Sequence, residues 1–477
     1  MTKTLLRAEP TKLVSLLNNG DFERAWQLWE SLRPTRDPFL KILGAEIELY
    51  FARLTEAQAE LSDIDDVSLD LVSGARLARV RGMIHYWHFE YEQAENYLQT
   101  AYHVYRFLLR DEYETAVTLC DLGRLRRRQG RLPEAEQALA DARRFLPASE
   151  GNRATLFLQG IITFNLAMCR HQQGDLDVAH TLYQEAIDLL QRTERLRNYA
   201  QALSSYGALL NHFGEYTQAV GVFVRARQIF DRFGIFDDLA HTTNNLARAM
   251  LCLGRYKEAE SLVREAFELR QRVSDLSGAA ACMEVLSELY LAKGELEKAY
   301  DAAVKALSYA EAVQNAFERA HAHIALGRVA LRRRDFWRAQ RYLTEALTAA
   351  EKMNNKRLEA KAKVYLTELY FQTSPAKGWQ FAEQAKALLQ EYGEKLLRDE
   401  FHRICQRAQT APIRINENNE LVISGTFIPN WYAAKEALER FLIKNALEQT
   451  GNNLTKAGKL LGVTKVHIYH KRREFET

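Results

Sequence analysis

Proline and glycine, the residues that most often interrupt helices, are both infrequent in this sequence. The 477 residues include 8 prolines and 23 glycines. Few helix-breaking residues permit long helices. Hydrophobic residues make up 47% of the chain, which argues against intrinsic disorder. The composition therefore favours an ordered, helix-rich protein.

Cysteine is sparse, and no pattern suited to binding a metal is visible. The five cysteines are scattered along the chain without a Cys-x-x-Cys pair. The histidine pairs His85/His88 and His321/His323 lack a carboxylate or cysteine at a familiar metal-ligand spacing. The sequence therefore predicts buried, reduced cysteines, with no metal site and no cofactor.

Long apolar runs and enzyme motifs are missing as well. No stretch of 18 apolar residues occurs, and the first twenty residues lack the apolar segment of a signal peptide. A GxxxxGK[ST] phosphate-binding loop, a nucleophile elbow and a paired-carboxylate motif are all absent from the sequence. These absences predict a soluble cytoplasmic protein with no membrane partner and no catalytic residues.

The charge is small overall but unevenly distributed. The formal net charge is +3. From Trp431 to the end there are 9 Lys/Arg and 5 Asp/Glu, a balance of +4. This basic excess in the last tenth of the chain is typical of a nucleic-acid-binding segment.

A short motif recurs along most of the chain. It consists of Gly, any residue, an aromatic residue or Leu, two further residues, and Ala. Copies begin at 130, 174, 214, 254 and 294, and a copy at 334 has Arg334 in place of glycine, so the spacing is 44 and then 40 residues. Phase-locked repetition of this kind indicates stacked repeats that share a core.

Small residues recur in phase with this motif. Pairs such as Leu122-Gly123, Tyr206-Gly207 and Leu326-Gly327 precede it, and an alanine follows seven residues after the motif alanine. Bulky residues such as Tyr183 and Phe223 lie between the two alanines. Small residues let two helices approach closely, and bulky residues fill the remaining space.

This pattern resembles the tetratricopeptide repeat. The resemblance implies an all-α right-handed superhelical solenoid of about nine or ten helix pairs with a 40-residue period. We expect divergent repeats in residues 1–110 and regular repeats with a C-terminal cap in 111–408. A linker should follow in 409–430, and a C-terminal domain in 431–477.

In tetratricopeptide repeats the first helix of each pair lines a concave groove. The resemblance therefore implies an effector groove whose lining includes Arg124, Arg128, Gln201, Asn211, His241, Asn244, Arg248, Glu284, Glu288 and Arg328. Such a polar lining suits a peptide or protein effector, because amide and charged side chains can bind a peptide backbone and its ends. The alternative is that these residues are simply solvated.

The linker has a different pattern. The segments 413–416 and 421–424 alternate apolar and polar residues and flank a polar turn. This alternation predicts a small β-hairpin, to which the sequence assigns no role.

The last 47 residues follow a helix-turn-helix pattern. An apolar stripe that includes Leu438, Phe441 and Leu442 indicates a first helix, which should end at Gly451. A second short helix spans about 455–461, with Ala457, Leu460 and Leu461 facing inward. Thr464 is expected to cap a third helix that runs to about 475.

This segment resembles the Fis-like DNA-binding domain of bacterial activators. The resemblance rests on Gly451-Asn452, Thr455, Ala457, the run from Leu460 to Thr464, Ile468-Tyr469 and Lys471. Gly458 and Arg472 depart from the family pattern. It implies double-stranded DNA as a partner. The expected base contacts are Lys465 and His470, and the expected phosphate contacts are Thr464, His467, Lys471 and Arg473.

The first helix of this domain carries more apolar surface than a unit of this size can bury alone. Trp431, Leu438, Phe441 and Leu442 are therefore expected to form a homodimer interface. The sequence predicts a DNA-binding transcription regulator with a sensory repeat groove. An interaction scaffold, in which the helix-turn-helix serves dimerisation or nucleoid tethering, is the main alternative.

Overall fold

A computed structural model describes the chain from Thr2 to Glu476 except residues 20, 34, 66–67, 147–151, 194–195, 411–412, 416–420 and 424–430. The chain divides into two compact units, Met1–Glu318 and Arg319–Thr477.

The first unit is built from consecutive helices. They are α1 (Thr2–Asn19), α2 (Phe22–Leu32), α3 (Pro38–Tyr50), α4 (Leu54–Leu61), α5 (Leu71–Trp87), α6 (Tyr91–His103), α7 (Glu112–Arg128), α8 (Leu132–Arg144), α9 (Arg153–Gln173), α10 (Leu176–Arg192), α11 (Leu196–Phe213), α12 (Tyr216–Arg232), α13 (Phe236–Cys252), α14 (Tyr256–Arg272), α15 (Leu276–Lys293) and α16 (Leu296–Ala312). A π-helical segment, Val104–Leu109, extends α6.

The second unit begins within α17 (Ala316–Arg332) and continues through α18 (Phe336–Lys352), α19 (Lys356–Thr373), α20 (Pro375–Tyr392) and α21 (Lys395–Thr410). Its C-terminal helices are α22 (Trp431–Gln449), α23 (Leu454–Leu461) and α24 (Lys465–Glu476). Within the described ranges, α1 to α20 are ten consecutive helix pairs.

Two short strands, β1 (Ile413–Ile415) and β2 (Leu421–Ile423), lie between α21 and α22. They pair antiparallel, with Ile413 opposite Ile423 and Ile415 opposite Leu421. In the described parts of the chain the sheet is confined to these two strands, so helices alone determine the fold class. The remainder of the predicted hairpin lies outside the described residues.

Tight turns at the recurrent motif connect the two helices of each pair. Gly174, Gly214, Gly254 and Gly294 adopt φ values of +92°, +80°, +74° and +77°. Glycine takes up this left-handed conformation without the steric cost that a side chain brings. The predicted position of the turn is therefore confirmed.

Close packing within each pair explains the small residues. The motif alanines and the alanines seven residues later are buried, as are Tyr183 and Phe223 between them. A Cβ atom added to Gly207 would lie 2.7 Å from the Phe223 ring, and one added to Gly327 would lie 2.6 Å from Leu343. The glycines on the first helices thus make room for the bulky side chains of the second helices.

The last repeat is covered by α21. Trp379, Ala382 and Leu389 of α20 pack against Phe401 and Ile404 of α21 in one buried cluster. The charged residues of α21 keep its other face polar, as the end of a stack of repeats requires.

A buried ionic cluster joins the N-terminal repeats. Arg76 Nη2 donates to Glu114 Oε1 at 2.5 Å, and Arg79 Nη1 donates to Asp121 Oδ2 at 3.3 Å. Burial alone would lower the pKa of Arg76, but the carboxylates of Glu114 and Glu46 raise it above its usual value. Both arginines are therefore charged inside the protein, and each depends on its carboxylate partners.

Substituting Gly207 with alanine should destabilise the repeats, since the added Cβ would overlap the buried Phe223 ring. Overpacking of this kind costs about 1–3 kcal/mol. Gly221→Ala is the matched control, because Gly221 is a helical glycine with open space around its Cα. Alanine there should stabilise the helix by up to about 1 kcal/mol. Thermal unfolding followed by circular dichroism measures both effects, and equal midpoints for the two variants would contradict the packing argument.

Substituting Glu114 with alanine should also destabilise the first unit, because it leaves Arg76 charged and buried without its closest carboxylate. Loss of one partner of a buried ion pair costs about 3–5 kcal/mol. Glu134→Ala, which removes an exposed carboxylate that pairs with Arg131, should change the unfolding midpoint little. Similar urea midpoints for both variants would show that the buried cluster contributes no more than a surface pair.

Candidate nucleic-acid interface and repeat groove

The three C-terminal helices share a small core. Ile443, Ala446 and Leu447 of α22 pack against Ala457 of α23 and Ile468 of α24. The predicted inward positions of Ala457 and Leu461 are confirmed, because Ala457 is fully buried and Leu461 packs against this core. The inward prediction for Leu460 is wrong, since its side chain is exposed. Only one face of the short α23 reaches the core, and Leu460 lies beside that face.

The turn between α23 and α24 depends on two glycines. Gly462 ends α23 with a φ of +68°. The Val463 amide donates to the Gly458 carbonyl at 2.9 Å, and a Cβ on Gly458 would lie 2.8 Å from the Val463 oxygen. The glycine at 458, a departure from the family pattern, therefore permits a close approach of the turn to α23.

Helix α24 begins as predicted. The His467 amide donates to Thr464 Oγ1 at 3.2 Å, so Thr464 caps the helix. At the start of α23 the Asn453 side chain caps by accepting from the amides of Thr455 and Lys456. These caps fix where both short helices start.

The basic residues of α24 differ in their surroundings. Lys465, His467 and His470 are exposed to solvent. Lys471 Nζ instead lies 3.3 Å from Glu439 Oε2 of α22, so this lysine links α24 to α22. The side chain of Arg473 lies outside the described residues, and Arg472 is exposed.

Two apolar residues share the exposed face of α24 with these polar groups. Val466 is 61% exposed and Tyr469 is 50% exposed, whereas Ile468 is completely buried. Neither Val466 nor Tyr469 is among the DNA contacts that the sequence predicts. The helical period could have indicated both, because it places Val466 nearly opposite the buried Ile468 and Tyr469 to one side of it.

The residues predicted to mediate dimerisation lie on α22. Leu438 and Phe441 are half-buried, and Leu442 is 42% exposed. The side chain of Trp431 lies outside the described residues. Three apolar side chains on α22 thus retain solvent contact within this chain.

In the first unit, the first helices of successive pairs surround a cavity of about 190 Å³. Met83, Trp87, Phe157 and Ile161 form part of its apolar lining. The predicted groove residues Arg124 and Gln201 lie at the same cavity. Arg124 is held by Asp121, at 3.3 Å, and by the Tyr86 ring.

A long-range contact joins residues that line this cavity. Arg197 Nη1 of α11 donates to the Leu49 carbonyl of α3 at 3.3 Å, and its guanidinium lies 5.6 Å from the Tyr50 ring centroid. Helix α1 also contacts α9. The N-terminal repeats therefore meet repeats that follow them by about four helix pairs.

Several predicted groove residues connect neighbouring repeats. Gln201 Nε2 donates to Asp238 at 3.1 Å, and Arg248 Nη2 donates to Glu284 at 3.2 Å. Asn211 Nδ2 donates to the Asn245 carbonyl at 3.5 Å. These contacts fix side chains along the lining, so part of its polarity serves the stacking of the repeats.

Two further groove positions are an arginine that contacts aromatic rings of the preceding repeat and an exposed histidine. Arg128 lies over the rings of Tyr86, Trp87 and Phe89. His241 keeps solvent contact, although burial in the concave surface, together with the charge of Arg270, lowers its pKa.

The remaining predicted groove residues differ in their surroundings. The Asn244 Oδ1 atom is buried without a hydrogen-bond partner, and Glu288 is half-buried. In the second unit, Arg328 lies over the Tyr365 ring at 4.8 Å and 3.9 Å from Glu400.

In the part of the chain that the structure describes, no cluster of three or more His, Cys, Asp or Glu side chains could hold a metal ion. None of its helices is both long and apolar enough to cross a membrane.

Two family models match the chain. The model described as tetratricopeptide repeat matches residues 75–148, 158–232, 198–272 and 238–312. The model of the bacterial regulatory protein, Fis family, matches residues 435–475. No curated protein matches the sequence.

Solved structures with a similar fold include the apo form of the quorum sensor NprR from B. thuringiensis, with 15% identity over 73% of this chain and 99% of that chain, and a TM-score of 0.51. A Rap protein complexed with competence and sporulation factor has 15% identity over 82% of this chain and 99% of that chain, and a TM-score of 0.50. A STAND protein with a tetratricopeptide repeat sensor from Pyrococcus horikoshii has 16% identity over 73% of this chain and 55% of that chain, also with a TM-score of 0.50.

At these identities the solved structures support the repeat fold alone. The family models, by contrast, match the regions in which the sequence predicted each pattern. The chain carries a solenoid of tetratricopeptide repeats followed by a C-terminal helix-turn-helix of the bacterial Fis regulatory family.

Proposed function

We propose that this protein is a transcription regulator. Its C-terminal helices would read a DNA site as a homodimer, and its repeat groove would bind a peptide or protein effector. The observation that carries the proposal is the exposed face of α24, which combines Lys465 and His470 with the apolar Val466 and Tyr469 on a capped helix of a Fis-type domain.

This face suits the major groove of duplex DNA. A recognition helix presents its N-terminal residues to base edges and its flanks to phosphates. Lys465 and His470 would contact bases, since lysine can donate to the guanine acceptors. Thr464, His467, Lys471 and Arg473 would contact phosphates. Lys471 would do so while it pairs with Glu439, because its ammonium has three donors.

Val466 adds an apolar contact to this scheme. An exposed valine on a recognition helix has no role in the domain core, which takes Ile468 instead. The C5-methyl group of thymine is the apolar feature that the major groove offers. Val466 would therefore favour thymine at one position of each half-site.

The exposed apolar side chains of α22 support pairing of two chains. Leu442, with the half-buried Leu438 and Phe441, would be covered by the same helix of a second copy. Two copies would place two α24 helices on one duplex, so the preferred site would be near-palindromic.

The groove supports the effector half of the proposal. Cation-bearing, carboxylate and amide side chains line the concave surface together with aromatic rings, and the Asn244 Oδ1 atom is buried without a partner. Proteins of similar fold include a quorum sensor and a Rap protein bound to competence and sporulation factor. An effector would act by binding one arrangement of the chain more tightly than another, which shifts the population between them.

The double variant Lys465→Ala/His470→Ala should lose sequence-specific DNA binding. Selection of binding sites from random duplexes by the full chain, at several salt concentrations, should enrich a near-palindromic site. The double variant should bind that site at least about tenfold more weakly, since each good base contact contributes about 1–3 kcal/mol.

Lys352→Ala is the charge-matched control, because Lys352 is an exposed lysine on α18, and it should bind like the unaltered protein. If no site is enriched and all binding disappears at moderate salt, the regulator proposal fails and the interaction-scaffold function replaces it.

Val466→Ser should remove the preference for thymine without abolishing binding. Replacing the critical thymine by deoxyuridine, which lacks the methyl group, should weaken binding by the unaltered protein about fourfold, the equivalent of one buried CH₂ group. The same replacement should leave Val466→Ser unaffected. Fluorescence anisotropy measures the affinity of the unaltered protein and of Val466→Ser for the thymine site and for the deoxyuridine site, and these four affinities isolate the contact. If the protein change and the DNA change weaken binding additively, Val466 does not contact the methyl group.

A further inference from the structure

Helix α18 carries an exposed tryptophan beside several arginines. Trp337, in the first turn of α18, is 70% exposed. Arg341 lies over its ring at 5.6 Å, and Arg338 and Arg341 are also exposed. We call Arg334, Trp337, Arg338 and Arg341 the arginine–tryptophan patch.

The other repeats act as internal controls for the tryptophan. The 40-residue period places five residues at positions equivalent to Trp337, and all five are exposed and either polar or proline. They are Pro133, Asp177, Thr217, Lys257 and Glu297. The helix-pair turn therefore does not need an aromatic side chain there, and packing of the repeat does not explain Trp337.

The charge of the same segment is also unusual. Residues 332–341 include five arginines and one aspartate, a net charge of +4. The equivalent segments 128–137, 172–181, 212–221, 252–261 and 292–301 have net charges of 0, −2, −1, 0 and −1. The positive charge belongs to this one repeat and not to the repeat fold.

Arg334 occupies the turn position that is glycine in the five preceding repeats. Its φ is +59°, and a non-glycine residue in the left-handed region costs about 1–2 kcal/mol. The arginine adds charge to an already basic turn, and the glycines at the equivalent positions show that the turn does not require it.

Two carboxylates lie beside the arginines of the patch. Asp335 caps α18 and lies 3.4 Å from Arg338, and Glu345 lies 3.7 Å from Arg341 and 3.4 Å from His323. The three arginines of the patch thus outnumber these two carboxylates, and the indole keeps one of the largest exposed apolar surfaces among the described residues.

We propose that the arginine–tryptophan patch binds an acidic segment of a partner protein that offers an apolar side chain or pocket to Trp337. Tryptophan and arginine are the residues most enriched at the energetic centres of protein interfaces. The arginines would pair with carboxylates through charge-assisted hydrogen bonds. Intact duplex DNA would satisfy the arginines but would leave the indole without an apolar partner, so an acidic protein fits the patch better.

This interaction is independent of the proposed DNA site and groove. The patch lies on the second helix of its pair and in the turn before that helix, and the patch includes no residue of α22 to α24. The cavity in the first unit is formed mainly by first helices. It gives the regulator a second protein-binding surface.

A random-peptide phage library, selected on the immobilised full chain, tests the proposal. Enriched peptides should carry several Asp or Glu residues and at least one large apolar residue. A synthetic copy of the most enriched peptide, followed by fluorescence anisotropy, should bind at least about tenfold more weakly to Trp337→Ala and to Arg338→Ala/Arg341→Ala, and more weakly as salt increases.

Lys257→Ala, a substitution at the equivalent position of α14, is the matched control and should bind like the unaltered protein. All substituted side chains are exposed, so the variants should share one unfolding midpoint. Failure to enrich acidic peptides, or affinity that does not depend on Trp337, would overturn the proposal. A loss of random-duplex DNA binding in the patch variants, with peptide affinity unchanged, would also overturn it and assign the patch to DNA.

Discussion

The close approach of two helices within each repeat is the constraint on which the rest of this structure depends. A glycine or alanine on one helix meets a bulky side chain on the other, as Gly207 meets Phe223. This contact sets the register between the helices, and repeating it sets the register of the whole series. The positions of the groove residues and of the turns follow from it, because each is a fixed number of residues from a packed alanine.

The same constraint separates structural from functional residues. Within a repeat series, a residue that packing requires recurs at the period, and one that packing does not require is free to differ. The turn glycines and motif alanines recur, whereas Trp337 and Arg334 occur once. In the helix-turn-helix the division is between faces, with Ile468 in the core and Val466 and Tyr469 exposed. In the repeats and in the helix-turn-helix alike, the candidate contact residues are exposed side chains that the packing of the core does not require.

Much of this fold could be predicted from sequence, because local patterns determine it. Helix pairs, turns and the Thr464 cap depend on residues within one period or one helix turn. The prediction for Leu460 failed because the eight-residue α23 offers too few positions to define its buried face. Other contacts join parts of the chain that are distant in sequence, namely the ion pairs among the groove residues and the contact between Arg197 and Leu49. The repeat period does not predict such contacts.

That contact between Arg197 and the Leu49 carbonyl changes how the first unit can lose its structure. In a simple repeat array each element touches only its neighbours, so the ends can fray independently. Here the bond spans 148 residues, and α1 also contacts α9. The N-terminal helices can open only if contacts with the middle of the array break as well. The N-terminal helices and the middle of the array therefore open together, because these contacts join them into a ring. A molecule bound inside that ring stabilises both parts at once.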